Sequence, residues 1–405
     1  MTTHELLSQL LKLDVKLWMD GERLRYSAPQ GAMTPELQSE IVKRKAEIIV
    51  LLKSSALASA APVLVTEQEI ITGPVPASPP QGWFFRAFKI TPELFSLTVC
   101  AEVDQPLDTD VLFRTLQHLL IYHDVLRLRF IVTEQDWQQI IVSPDEVSPF
   151  LSIYDFSALP PDRYNEATIQ VALELQDGFD FSKPPLMQVG YLNLGTRSSA
   201  RVVICVHHLA ADGFSMAILL KDIQNIYMQL VAGHPVFLPP KKTSFKTYTE
   251  NILQYARTIA MDELDYWLHL PWERVKPLPM DNPENRMQDT SSRAQTVLME
   301  LGIADTQALL QSIKAQASAD VQMTDFLLTA LALAFKQWNG IDVLWILCVN
   351  AGRSAPLDQL DLSQTVGWIS IATHFLLDVS HVNNPAAALN TIRQQIRVIP
   401  ARATG

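Results

Sequence analysis

The chain has 405 residues, 48% of them hydrophobic, with 43 acidic against 32 basic side chains and a formal net charge of −11. That length implies two or three domains, each able to bury its own core, and the acidic balance excludes a general nucleic-acid binder, which needs a basic face. With 25 prolines, 14 glycines and three widely spaced cysteines (Cys100, Cys205 and Cys348), the composition excludes a disordered chain and a disulfide framework, and the thiols are expected to be buried.

In chain order, residues 1–53 form a first unit. Thr3 caps a short helix carrying Leu6, Leu7, Leu10 and Leu11 at helical spacing. Val15, Leu17 and Met19 then alternate, Asp20-Gly21 turns the chain, and Leu24 and Tyr26 return, which is the pattern of a hairpin. Thr34 caps a second helix with Pro35 at its first position and Leu37, Ile41, Ile48 and Leu52 on one side. So small a unit has a thin core that asks for a partner or a dimer mate. Residues 54–67, "SSALASAAPVLVTE", are small and Pro-containing and read as a linker.

From about residue 70 the pattern becomes mixed. Short apolar runs ("LTVCAEV", "RVVICV", "DVLWILCV") read as strands, and "DTDVLFRTLQHLLIYHDVLRLRF" and "TDFLLTALALAFKQW" as long helices. The Pro-rich stretch 236–245, "VFLPPKKTSF", marks a boundary between two lobes, 68–240 and 241–405. The N-terminus lacks a signal-peptide layout and the longest apolar run, "FLLTALALAF", is about half a membrane span, so a cytoplasmic protein without a membrane partner is expected.

"VHHLAADGFS", 206–215, places two histidines where a strand hands over to a helix. Three uses are open: a metal site, a catalytic base, or two loop histidines that satisfy local hydrogen bonds. Zinc needs three or four convergent ligands, and consecutive residues leaving a strand point to opposite faces, so His207 and His208 are poor co-ligands and no metal is expected. Asp212-Gly213 by itself fits a turn or a helix cap. Trp83, Phe84 and Phe85 are expected in the core, and Met216 to Leu230 carry the buried face of the following helix.

Several segments in order resemble the condensation domain of nonribosomal peptide synthetases: "VPASPPQGWFF" (75–85), "YHDVLRLRF" (122–130), "HHLAADGFS" (207–215), "TSFKTYTENI" (243–252) and "VNAGRSAPLDQLDLSQTVGWIS" (349–370). HHxxxDG alone is short and weak; five ordered motifs are specific. Residues 1–53 resemble the N-terminal docking domain of the tubulysin-synthetase type. The resemblance implies an α+β fold, a docking module followed by two chloramphenicol-acetyltransferase-like lobes with a tunnel between them. The segment ending "IRQQIRVIPARATG" runs on in those relatives, on the order of a hundred residues further, so an incomplete second lobe is expected.

The same resemblance implies amide formation between a donor acyl or peptidyl thioester and an acceptor aminoacyl amine. Both substrates would ride on 4'-phosphopantetheine arms of upstream and downstream carrier proteins, with no cofactor bound by the chain. Carried over by motif, His208 is the catalytic residue, His207 its structural neighbour, Gly213 the tight-turn residue, and Asp212 the partner of an arginine of the second motif, Arg127. Tyr122 and Asp124 depart from that motif's usual Arg and Glu. The basic-flanked hairpin, with Lys16, Trp18, Arg23 and Arg25, is expected to take an acidic C-terminal docking peptide of an upstream synthase subunit by strand addition, and resemblance allows a homodimer there. Two rival readings stand: an epimerisation domain of the same superfamily, and a catalytically silent recruitment scaffold. Against the first, Met216 follows Ser215 where epimerases carry Trp, and Val349 stands where they carry Glu. A heterocyclising relative would carry DxxxxD in place of HHxxxD.

Overall fold

The structure is a computed structural model. It describes residues 16–20, 23–27, 34, 37, 40, 43, 45, 70–87, 95–132, 137–195, 200–239, 241–258, 260–280, 295–316, 322–353 and 360–400. The chain divides into two compact units, residues 1–69 with 237–240, and residues 70–236 with 241–405.

In the first unit, β1 (Lys16–Asp20) and β2 (Arg23–Ser27) pair antiparallel, from Lys16↔Ser27 to Asp20↔Arg23. The expected strand pairing is present, and Asp20, expected in the turn, is itself paired with Arg23; residues 21 and 22 lie outside the described residues. Trp18 stands opposite Arg25 in the register. Residues 37, 40, 43 and 45 are helical, Leu37 is buried, and its N–H donates to Thr34 Oγ1 at 3.4 Å, the cap expected there. The first helix and the linker lie outside the described residues.

The second unit begins with β3 (Gly73–Pro74), α1 (Pro79–Ala87), β4 (Ser96–Val103) and α2 (Thr109–Tyr122). Asp108 Oδ1 caps α2 by accepting from the N–H groups of Asp110 and Val111, and Leu112, Leu116, Leu119 and Leu120 make its buried stripe. Burying each such leucine stabilises by about 1.5–3 kcal/mol. The apolar spacing predicts a helix that continues through residue 130, but it stops. A 3-10 turn, Asp124–Arg127, leads straight into β5 (Leu128–Val132). Along the strand burial alternates: Leu128 and Phe130 are buried, whereas Arg129 is half-buried and Ile131 exposed.

There follow β6 (Trp137–Ile141), β7 (Phe150–Asp155), α3 (Tyr164–Asp177), β8 (Met187–Asn193), β9 (Ala200–His207) and α4 (Gly213–Val231). Two sheets result, β4-β9-β8-β7, with β7 and β8 parallel, and β3-β6-β5. Strand β9 reads as one continuous apolar run because both of its faces are covered. Val203 and Cys205 pack against Val171 and Leu175 of α3, and Val202, Ile204 and Val206 are buried on the other face.

Beyond residue 241 come α5 (Phe245–Thr258), α6 (Ala260–Leu268), α7 (Ile303–Gln316), α8 (Met323–Asn339), β10 (Val343–Asn350), β11 (Ile371–Asp378) and α9 (Pro385–Val398). Strands β10 and β11 form an antiparallel pair. Leu344 and Leu377 from that pair join Leu328 and Ala332 of α8 and Ile392 of α9 in one core. No helix among the described residues is long and apolar enough to cross a membrane.

Candidate active site

The two histidines part company at the end of β9. His207 is the last residue of the strand and is fully buried; its Nδ1 accepts the N–H of Leu209, and its ring sits among Phe84, Phe179 and Phe181, with centroids 5.8, 5.5 and 4.7 Å away. It is a structural plug. His208 leaves the sheet, its N–H donating to the Phe95 carbonyl at 2.9 Å, and its half-buried ring stacks on Phe95 (4.8 Å) and packs against Trp368 (4.3 Å).

His208 Nδ1 is buried and receives no hydrogen bond of ordinary geometry, which leaves Nε2 as the nitrogen able to face a substrate. Burial pushes the imidazole below its ordinary 6.5, against the weaker pull of the backbone of His208 itself, the Asp212 charge and the backbone of Ala211. At neutral pH the ring is therefore a neutral base.

Asp212 caps α4, accepting from Ser215 N at 2.8 Å. Sequence reasoning pairs Asp212 with Arg127; the structure corrects this. The partner is Arg353, whose Nη1 donates to Oδ2 at 3.0 Å and Nη2 to Oδ1 at 3.1 Å. Oδ2 also accepts the N–H groups of Ile369 and Ser370, at 3.1 and 2.9 Å. Ser215 Oγ accepts from Gly367 N and Arg353 Nη2, at 3.1 and 2.9 Å. Burial works to raise the Asp212 carboxyl, but the hydrogen bonds and charge of Arg353, with those of Ser215, outweigh it and hold the group below the usual carboxylate value. Arg353 also lies over the Phe214 ring, 4.4 Å from its centroid.

Arg127 is occupied elsewhere. Its fully buried guanidinium donates to three carbonyls, Leu120 at 2.9 Å, Val142, and Ile71 at 3.2 Å. Leu120 lies in the last turn of α2, where carbonyls lack intrahelical partners, so the 3-10 turn aims the arginine at the helix end instead of at the histidine loop. The neighbouring departures from the second motif have structural uses too. Asp124 Oδ1 pairs with Lys241 Nζ at 3.0 Å in a buried ion pair, and the Tyr122 ring lies beneath the same ammonium. His123 Nε2 meets Asp222 Oδ2 at 2.9 Å.

Gly213, expected as a tight-turn residue, is the first residue of α4, is not among the positive-φ glycines, and a Cβ there would meet nothing. The strained glycine is Gly352, at φ +65°, where a Cβ would overlap the Ile369 carbonyl. It delivers Arg353, and its own N–H donates to Asn350 Oδ1 at 2.8 Å. This Asn-Ala-Gly-Arg turn is the available sequence signal for Arg353, which sequence reasoning missed. Of the three aromatics of α1, Phe84 is buried as expected, whereas Trp83 is 51% exposed and meets Trp368 edge-on. Cys205 is buried, but Cys100 is exposed because its side of β4 faces outward. Lys16, Trp18, Arg23 and Arg25 occupy the two strands of the hairpin. Among the described residues no three His, Cys, Asp or Glu side chains are grouped to hold a metal.

A histidine thus stands on the loop after a covered strand, that loop is tied through Asp212 to a distant arginine and turn, and its sequence is the HHxxxDG pattern that resembles the condensation domains. The family model of the condensation domain matches residues 71–405, and that of the TubC N-terminal docking domain matches residues 3–54. The chain belongs to the condensation-domain family, and its homologues are nonribosomal peptide synthetase subunits. It is 36% identical over 349 residues to one of the linear gramicidin synthase subunits of Brevibacillus parabrevis, covering 86% of this chain and 4% of that protein. It is 33% identical to chondramide synthase cmdD of Chondromyces crocatus over 352 residues, covering 85% of this chain and 9% of that protein. The chain thus spans only a small part of the relatives it matches. Among solved structures, the epimerization domain from the third module of tyrocidine synthetase B superposes with a TM-score of 0.75 at 23% identity, covering 84% of this chain and 76% of that one. The first condensation domain of the calcium-dependent antibiotic synthetase gives 0.62 at 19% identity, covering 80% and 73%. These likenesses carry the fold.

Proposed function

We propose that the chain is an amide-forming condensation domain of a nonribosomal peptide synthetase, or hybrid polyketide/peptide, subunit. The observation that supports it most is the His208 imidazole: neutral by burial, fixed between Phe95 and Trp368, and carried on a loop tied down by Asp212 and Arg353. The acceptor amine nitrogen adds to the donor thioester carbonyl. The carbon–sulfur bond then breaks, the sulfur leaves as thiolate on the donor's phosphopantetheine arm, and the proton lost by the amine passes by way of His208 Nε2 to that thiolate. An α-amine with a reference pKa of about 7.7–8.0 is roughly a tenth neutral at pH 7, so His208 acts mainly as orienter and proton acceptor. Holding two tethered reactants in attack geometry supplies about 7–11 kcal/mol, more than the about 10²- to 10⁴-fold of acid–base help. The N–H groups of Gly213 and Phe214, at the first two positions of α4, have no intrahelical acceptor and are the donors for the developing oxyanion.

In this reading residues 1–53 are a docking module, 54–67 a linker, and 68–240 and 241–405 two lobes of a cytoplasmic enzyme. The β1–β2 hairpin, through Lys16, Trp18, Arg23 and Arg25, adds the C-terminal tail of an upstream synthase as a further strand, and the module supports a homodimer. The test is to load a donor on the upstream carrier and an acceptor on the downstream one and follow the products by intact mass. An amide on the downstream carrier is expected. Binding of both carriers with no amide would leave recruitment as the function. An epimerisation domain of the same superfamily is the other rival, and solvent-deuterium uptake at the donor α-carbon in place of amide would establish it.

A further inference from the structure

Trp368 reaches the histidine from a part of the chain 160 positions further on. It stands at the apex of a three-residue turn, Ile369 N–H donating to the Gly367 carbonyl at 3.0 Å. Every flank of that turn is tied to the cap of α4: Gly367 N to Ser215 Oγ, Ile369 N and Ser370 N to Asp212 Oδ2. The turn packs against α5 as well, since a Cβ at Gly367 would overlap the buried Phe245 ring. This arrangement leaves Trp368 only 6% accessible, so the indole has little room to swing.

The indole then meets the imidazole directly. The rings of His208, Phe95 and Trp368 touch pairwise, with centroids 4.8, 4.3 and 5.5 Å apart. Phe95 stacks nearly parallel on the imidazole, 15° between planes, and Trp368 closes on it at 46°. Nδ1 of His208 is buried and meets no side-chain partner among the described residues, while the backbone of His208 itself and of Ala211 favours the protonated ring. A catalytic imidazole is usually oriented by a carboxylate or carbonyl on its second nitrogen. Here no carboxylate among the described residues does so, and the ring contacts add their hold to the pull of the backbone of His208 and Ala211.

We propose that Trp368 is a positioning residue for His208: the turn locked to Asp212 presses the indole onto the imidazole, fixing the ring against Phe95 and shielding Nδ1 from water so that Nε2 alone meets the substrate. The proposal rests on the reading of His208 as the group that meets the acceptor amine. The Asp212 charge favours the protonated form of the ring, so the shielding rings oppose it. Loss of the indole admits water, and the imidazole titrates nearer 6.5.

The test uses the full chain labelled at histidine Cε1. His208 is assigned by the resonance lost in His208→Ala, and Trp368→Phe, Trp368→Leu and Trp368→Ala are compared by NMR titration and by steady-state amide formation. In Trp368→Ala and Trp368→Leu the His208 midpoint should move up toward 6.5, and kcat should fall about tenfold or more with KM changed by less than about twofold, because positioning is lost and carrier binding is kept. Trp368→Phe, which keeps a ring, should stay near wild type in both. If Trp368→Leu, folded by circular dichroism, keeps the wild-type midpoint and kcat, the proposal is overturned even where Trp368→Ala fails to fold. The NMR midpoint needs no turnover: a shifted midpoint in a chain that makes no amide would uphold the positioning and sink the condensation reading, and an unmoved midpoint in an active chain would do the reverse.

Discussion

Asp212 and Arg353 lie 141 positions apart and meet in a two-point, buried ion pair at 3.0 and 3.1 Å. The pair joins the cap of α4 to the turn after β10, so the histidine loop is tied down from both sides of the candidate active site. Two unlike charges in a dry setting need each other more than either needs the fold.

Removing one partner should therefore cost more than an exposed pair would. Asp212→Ala leaves Arg353 buried without its carboxylate and frees the N–H groups of Ser215, Ile369 and Ser370. A loss of about 3–5 kcal/mol is expected, read as a lowered urea midpoint.

Arg127→Met tests a separate anchor. It keeps the stem and strips two buried carbonyls and the half-buried Ile71 carbonyl of their donor, which predicts a loss of about 3 kcal/mol. The same variant should leave the His208 titration where it is, since Arg127 does not touch the histidine loop.

The glycines give an opposed pair. Gly352→Ala forces a side chain into φ +65° and onto the Ile369 carbonyl, and should destabilise by about 2 kcal/mol or more. Gly213→Ala meets nothing at the first turn of α4 and should leave the urea midpoint unchanged to within about 0.5 kcal/mol.

How far the sequence revealed this arrangement depended on distance along the chain. The strand-to-helix hand-over at 207–215 was legible because it is local: an apolar run covered on both faces, then an Asp cap. The Thr34 cap and the β1–β2 hairpin were legible for the same reason. Arg127 was misassigned because motif order says which residues belong together, not which carbonyl or carboxylate a long side chain will reach. The true partner, Arg353, and the ring that meets His208, Trp368, arrive from the far end of the chain through separate turns; the Asn-Ala-Gly-Arg pattern marks the turn that carries Arg353 but not the carboxylate it reaches. The pattern through residues 109–130 misled in another way, since one apolar spacing served first a helix and then a strand.

Acidification should act through two histidines. Burial lowers both His123 and His208 below 6.5, His123 against the opposing hydrogen bond with Asp222. The unfolded chain binds those protons near 6.5 and the folded chain only at lower pH, so between the two values the unfolded state holds more protons and stability rises with pH. Stability is then complete above about pH 6.5 and falls as pH drops through the folded values, with Asp212 adding a further loss below its ordinary 3.8. Urea midpoints measured from pH 7.5 to 5 should decline, and His123→Gln should flatten that decline.

The most direct measurement is single-turnover amide formation from pre-loaded carriers, comparing wild type with His208→Ala at saturating carrier. The account predicts that His208→Ala binds both carriers with wild-type affinity, keeps its fold, and forms the amide at least about a hundredfold more slowly. A His208→Ala chain that forms the amide at the wild-type rate would contradict it.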